Sequence, residues 1–227
     1  VTLVLLSAFR KELDGLLAAF RLPRRWQRCG FLRYQEGRVA GCAAVFAASG
    51  IGKVPAAAAT QALCDRFQPW GIVLLGTAGS LAPEVRPLDL VVATETLAFD
   101  SGPWKPAWTA TDGELSASLL ACCEGDRSAG PQGSEVHSGR MVSADRPVLE
   151  AGERSSLAQR FSALAVDMES AAAAAVSQAM NVPLAVIKAI TDRADAAGEA
   201  DFRLNLDAAV RRVHDVVIRW LQEGERS

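Results

Sequence analysis

Apolar positions along this chain fall into two rhythms that alternate from the first residues onward. Thr2 to Ala8 is a short, almost wholly apolar run rich in branched side chains, the composition of a strand covered on both faces. Leu13, Leu16, Leu17 and Phe20 then recur at the spacing of one helix face, which predicts a helix from Arg10 to Phe20. The alternation repeats. Val39 to Ala48 predicts a buried strand, Ser49-Gly50-Ile51-Gly52 a turn, and Lys53 to Phe67 a helix with Pro55 in its first turn, where a missing N–H costs little. Gly71 to Gly76, Leu88 to Thr96, Ala163 to Val166 and Pro183 to Ile190 are further candidates for buried strands. Helices are expected near Asp112 to Glu124, Pro147 to Arg160 and Met168 to Met180. A last helix, Asp201 to Gln222, sets Leu206, Val210, Val213, Val217, Trp220 and Leu221 on one stripe and turns Arg211, Arg212, Asp215 and Arg219 outward. Strands alternating with helices imply an α/β fold, a largely parallel sheet with helices on both faces.

Composition narrows the function classes. The 227 residues, with 50% hydrophobic and 22% charged, fit one α/β domain spanning the chain. The stretches rich in Gly, Pro and Ser, Phe99 to Pro106 and Ser128 to Ser134, are short enough to be loops within it. With 24 Lys+Arg against 26 Asp+Glu, no summed positive field exists to hold nucleic acid or an anionic membrane. The longest apolar stretch is too short to span a bilayer, and the chain opens on a strand without a basic leader. Five cysteines, an odd number without zinc spacing, read mostly as buried thiols of a reducing compartment, so a cytoplasmic location is expected.

The candidate chemistry is carboxylate chemistry. Asp167 and Glu169 stand where an apolar strand passes into a helix, and Asp192 closes the apolar run Val186 to Thr191; such strand ends are where α/β sheets build ligand crevices. Asp167 also suits a helix N-cap. Asp192 needs a partner or a task if it is buried. Glu12 reads locally as a surface glutamate complementing a helix N-terminus. His137 and His214 are the only histidines, too few and too far apart for a metal triad or a serine-histidine relay. Ser49-Gly50-Ile51-Gly52-Lys53 is no P-loop, having Ala47 and Val54 where a glycine and a hydroxyl residue are required, and its glycines are read as a tight strand-to-helix turn. Gly76-Thr77-Ala78-Gly79 reads as a turn after a buried strand, offering a hydroxyl and bare backbone to a crevice.

Taken in order, Ser7-Ala8-Phe9-Arg10-Lys11-Glu12, Ser49 to Lys53, Gly76 to Gly79, Val142-Ser143-Ala144-Asp145, Val166-Asp167-Met168-Glu169 and Ala189-Ile190-Thr191-Asp192 resemble the motifs of the purine nucleoside phosphorylase and nucleosidase superfamily. Among its members the chain is most similar to the 5'-methylthioadenosine/S-adenosylhomocysteine nucleosidases. The resemblance implies a three-layer α/β/α domain around a mixed, largely parallel and partly barrel-like sheet. It also implies a homodimer and cleavage of a purine-ribose bond without metal or organic cofactor. By this likeness Glu12 orients and deprotonates the attacking water, and Asp192 protonates the departing base. Glu169 holds the ribose hydroxyls, Met168 packs on the sugar, and Thr77, Ala8, Gly79 and Val148 contact the substrate.

Chemistry independent of the resemblance agrees with two separated carboxyl groups. An N-glycosidic bond breaks through an oxocarbenium-like state, so the base accepts a proton as it leaves while water approaches the opposite face. Burial is expected to keep Asp192 protonated, and water with the nearby Lys11 to keep Glu12 ionised. Phosphorylases of the superfamily place an arginine where this chain has Leu74 and another where it has Ser7-Ala8-Phe9, which favours water over phosphate as nucleophile. The chain also departs from the nucleosidases. Pro147 stands in place of the aromatic residue that stacks on adenine, Lys188 in place of an arginine, and Asp167 in place of a glutamate. The form Asp167-Met168-Glu169-Ser170 is similar as well to relatives acting on adenosyl groups of large apolar molecules, including the hopanoid-associated nucleosidases. Trp104 and Trp108, in a shortened loop, fit either an apolar groove or ordinary loop packing. A futalosine-type hydrolase, a phosphorolytic enzyme and a silent nucleoside sensor are the competing readings.

Overall fold

The computed structural model describes residues 1–23, 25–101, 107–124 and 133–223. Most of the two loops rich in Gly, Pro and Ser, including Trp104, lies outside the described residues. The chain opens with β1 (Thr2–Ser7), a 3₁₀ turn (Arg10–Glu12) and α1 (Asp14–Ala19), then β2 (Gln27–Cys29), β3 (Leu32–Val39), β4 (Cys42–Ala48) and α2 (Lys53–Phe67). Next come β5 (Gly71–Ser80), β6 (Leu90–Ala98), β7 (Thr109–Ala110), α3 (Gly113–Glu124) and β8 (Val136–Ser143). The last elements are α4 (Ala151–Phe161), β9 (Ala163–Asp167), α5 (Ser170–Ala179), β10 (Leu184–Asp192) and α6 (Gly198–Glu223).

All strands join one mixed sheet in the order β10-β6-β8-β9-β5-β1-β4-β3-β2, with β7 on β6. An additional pairing of β10 with β5 closes the first five strands into a barrel-like ring. The pairings β1–β4, β1–β5, β5–β10, β6–β8 and β8–β9 are parallel. The central strands are apolar along their whole length because both faces are covered. Leu3, Leu5, Val73, Leu75 and Ile187 pack under α1, α3 and α6, while the intervening Val4, Leu6, Ile72, Leu74 and Val186 pack under α2 and α5. Each such side chain taken fully out of water contributes roughly 1.5–3 kcal/mol. No helix among the described residues is long and apolar enough to cross a membrane.

Three expectations from the sequence are corrected. The run Val39 to Ala48 is not one strand but the close of a hairpin: Ala40 and Gly41, both with positive φ (48° and 76°), reverse the chain between β3 and β4. Gly76 to Gly79 is no turn, since β5 continues through it to Ser80 with β9 and β10 paired alongside. Arg212 does not face outward; it is buried on α6, and its Nε and Nη1 have no hydrogen-bond partner among the described residues.

Candidate active site

At the carboxyl ends of β1, β5, β9 and β10 lies a cavity of about 330 Å³. Glu12, Thr77, Gly79, Met168, Glu169 and Asp192 all line it, together with Ala8 and Val148. Sequence positions from 8 to 192 thus converge on one space.

Glu12 reaches the cavity because the chain leaves β1 extended at Phe9 (φ −140°, ψ 155°) and then tightens into the 3₁₀ turn, which points the carboxylate back at the strand end. Its Oε2 accepts from the amides of Ala8 (3.1 Å) and Phe9 (3.3 Å), and its Oε1 from the amide (3.1 Å) and hydroxyl (3.2 Å) of Thr77. Gly76 makes room: with φ at 151°, a Cβ there would lie 2.6 Å from Oε1. Glu12 is only 2% exposed, so the local reading of a surface glutamate fails. Burial raises its pKa to about 7, against the opposing charge of Lys188, while Glu169 pushes in the same direction as burial. Of the expectation that water and Lys11 keep it ionised, both causes fail. Lys11 sits on the surface, 2.6 Å from Asp207, and the cation that matters is Lys188.

Lys188 lies in the middle of the apolar run of β10 and is 1% exposed. Its Nζ is 3.1 Å from Asp167 Oδ2 and 3.9 Å from Glu169 Oε2. Burial works to lower its pKa, but the charges of Asp167, Glu169 and Glu12 outweigh burial and raise it, so the ammonium persists. Asp167 acts as cap and ion-pair partner together. Its oxygens accept from the Ser143 hydroxyl (2.6 Å), the amide of Ser170 (3.2 Å) and the Ser170 hydroxyl. Glu169 Oε1 accepts from the Gly52 amide (2.9 Å), where the Ser49 to Gly52 turn delivers the first turn of α2. Burial raises the pKa of Glu169 despite Lys188.

Asp192 ends β10 at the cavity. Its Oδ2 accepts from the Thr191 hydroxyl (2.8 Å) and its Oδ1 from the Ala194 amide (2.9 Å). Burial raises its pKa, opposed by those two hydrogen bonds and assisted by Asp201 and Asp195. Gly79 permits this approach, since a Cβ there would lie 2.9 Å from Asp192 Oδ1.

Between these polar ends the walls are apolar. Phe9, Ile51, Leu149 and Phe202 line the cavity, and Ile51 (59% exposed) and Leu149 (42%) mark its mouth. Pro147 joins them where an aromatic residue was missed in the sequence. Trp108 does not line the cavity; it stacks edge-on against Phe161 with the Arg140 guanidinium over its ring, which is the loop-packing reading. Leu74 is fully buried among apolar residues, and Arg146, the arginine on the cavity wall, is held by both carboxylate oxygens of Glu153 (2.5 and 3.0 Å). Sequence reasoning gave no role to Lys188, Phe9 or Phe202. Only Lys188 carried a signal, a charge inside a buried strand that demands partners.

Known proteins share this fold. The profile of the phosphorylase superfamily matches residues 2–222. The 5'-methylthioadenosine/S-adenosylhomocysteine nucleosidase of Actinobacillus succinogenes is 32% identical over 236 residues, which cover 97% of this chain and 98% of that one. The crystal structure of the Helicobacter pylori enzyme of that name, with butyl-thio-DADMe-Immucillin-A, superposes with a TM-score of 0.90 at 25% identity over 98% of each chain. That of the Neisseria meningitidis enzyme, in complex with methylthio-immucillin-A, gives 0.87 at 28% identity over 98% of this chain and 99% of the other. A match of this extent in sequence and fold leaves one conclusion: the chain belongs to the phosphorylase superfamily.

Proposed function

We propose that this protein hydrolyses the N-glycosidic bond of an adenosyl nucleoside of the methylthioadenosine or adenosylhomocysteine type and releases adenine. The observation that carries the reading is the meeting of Glu12, Glu169 and Asp192 in one cavity, with no phosphate-binding guanidinium free among its described walls. Water is the nucleophile. Protonated Asp192 donates to a ring nitrogen of the base as the bond to C1' breaks and its electron pair passes to the purine. Glu12 takes the proton of the water that adds to C1' from the other face. A pKa of about 7 suits that task, since the group is then both available as a base and strong enough to act as one near neutrality. Glu169, fixed by the Gly52 amide and Lys188, holds the ribose hydroxyls, with Met168 against the sugar. Ala8, Thr77, Gly79 and Val148 complete the contacts. We read the 227 residues as one domain, acting as a homodimer in the cytoplasm without metal or organic cofactor.

The apolar mouth formed by Ile51, Leu149 and Phe202 favours a substrate whose 5'-substituent is itself apolar, and a large adenosyl compound is the second reading. The test is base release from methylthioadenosine, adenosylhomocysteine, futalosine and inosine, each with and without inorganic phosphate. Adenine release from the first two, indifferent to phosphate, is expected. Release only with phosphate would make the protein a phosphorylase, release only from futalosine would change the substrate class, and binding without turnover would make it a sensor.

A further inference from the structure

Helix α6 touches both ends of the proposed catalytic apparatus through backbone carbonyls. His214 Nε2 lies 2.7 Å from the carbonyl oxygen of Glu12, in a fully buried contact. A carbonyl only accepts, so Nε2 carries the proton and donates it. Asn205 Nδ2 donates to the carbonyl of Thr191 (2.8 Å), the residue before Asp192 and the one whose hydroxyl holds its carboxyl group. The two anchors are nine residues apart on one helix, about 14 Å along its axis at the α-helical rise. Neither side chain lines the cavity.

The fit around His214 is tight. A Cβ at Gly15 would lie 2.1 Å from His214 Nδ1, so the imidazole fills the space a side chain on α1 would take. Lys11 in the same 3₁₀ turn pairs with Asp207 of α6, a second tie between the helix and the segment that carries Glu12. Burial lowers the pKa of His214, against its bond to the Glu12 carbonyl and the charges of Asp215 and Asp14, so near neutrality the ring has a single N–H and that N–H is committed.

We infer that α6 is a rigid spacer that sets the separation of Glu12 and Asp192, with His214 and Asn205 as its positioning residues. The inference rests on the reading of those two carboxylates as base and acid. Rate in such a site depends steeply on placement, and a shift of about 1 Å costs on the order of a hundredfold. A hydrogen bond to the backbone of the residue that does the chemistry, as at Glu12, or of its immediate neighbour, as at Thr191, is therefore a control on rate and not only on stability.

The experiment compares His214→Leu, His214→Gln and Asn205→Ala with the parent by steady-state kinetics on methylthioadenosine and by amide hydrogen exchange. In His214→Leu, kcat is expected to fall about ten- to hundredfold with KM within about threefold. Exchange at the Ala8 and Thr77 amides, which hold the Glu12 carboxylate, should quicken at least about tenfold while Leu63 of α2 stays protected. The glutamine variant, which can still donate to the carbonyl, should recover most of both losses. Asn205→Ala should quicken exchange at Ala194, the amide that holds Asp192, and leave Ala8 unchanged. Parental exchange at Ala8 and Thr77 in His214→Leu, or a glutamine variant as impaired as the leucine variant, overturns the inference. Should the leucine variant not fold, Asn205→Ala decides: parental exchange at Ala194 overturns the spacer. A parent that releases no base refutes the proposed activity instead, and the exchange measurements still decide the role of α6.

Discussion

Glu12 and Asp192 line one cavity, and burial raises the pKa of both, but the charges around them have opposite signs. Glu12 is buried beside a permanent cation, accepts from three amides and a hydroxyl, and still has its pKa lifted to about 7. Asp192 has no cation among the causes that shift it; two donors oppose its burial, and two further carboxylates reinforce it. Burial is the largest influence on both and raises both pKa values; what differs is the charge nearby, Lys188 opposing burial at Glu12 and Asp201 and Asp195 adding to it at Asp192. A positive charge beside a buried carboxyl works against its burial, and negative charge works with it.

The strongest attempt to break this contrast is Asp192→Asn. Without a transferable proton, kcat should drop about 10²- to 10⁴-fold while a non-hydrolysable nucleoside still binds within about tenfold of the parent, by calorimetry and stopped-flow assay. A loss under tenfold would mean that the base leaves without this acid. Next in size is Lys188→Met, which strands Asp167 and Glu169 without their counter-charge. It should cost about 3–5 kcal/mol in urea unfolding and move the rise of kcat with pH to more alkaline values, because Glu12 loses the charge that restrains its pKa. An unmoved profile would detach Lys188 from Glu12. The smallest effect sharpens the comparison through stability. The folded pKa of Glu12, about 7, lies above its ordinary 4.5, so its contribution is fully present below pH 4.5 and is lost as pH rises through 7. Glu12→Gln has no such loss and should gain about 3 kcal/mol on the parent between pH 4 and pH 9. A constant difference across that range would show an unshifted Glu12.

The sequence disclosed the parts of this molecule whose environment is uniform. β1, β5, β10 and α2 are covered on the expected faces, and their apolar runs and helical spacing state that directly. β3 and β8 escaped notice because they lie where one side meets solvent or another loop, and Arg33, Glu36, Arg38, His137 and Arg140 interrupt the apolar pattern. Arg212 was assigned to the wrong side of α6 since a helical wheel cannot foresee how widely a helix is covered. Of the site, the carboxylates were legible as an ordered set of motifs, but their surroundings were not. Nothing in the local run Arg10-Lys11-Glu12 tells that the adjacent lysine points to water and that the charge Glu12 feels comes from a residue 176 positions later. Long-range electrostatics is a property of the closed fold, which is why the charge beside Glu12 was misassigned to Lys11, while the upward push of burial on Asp192 follows from its place at the end of an apolar strand.

Gly76 and Gly79 divide the cavity into a part closed to change and a part open to it. At these two places on β5 even a single methyl group would strike a carboxylate oxygen, so this strand face offers random variation no foothold. Ile51, Leu149 and Phe202 line the same cavity, with Ile51 and Leu149 well exposed, and bulk can be traded there without striking those oxygens. Directed evolution toward altered nucleosides should therefore collect its gains at those three positions and leave the glycine strand untouched.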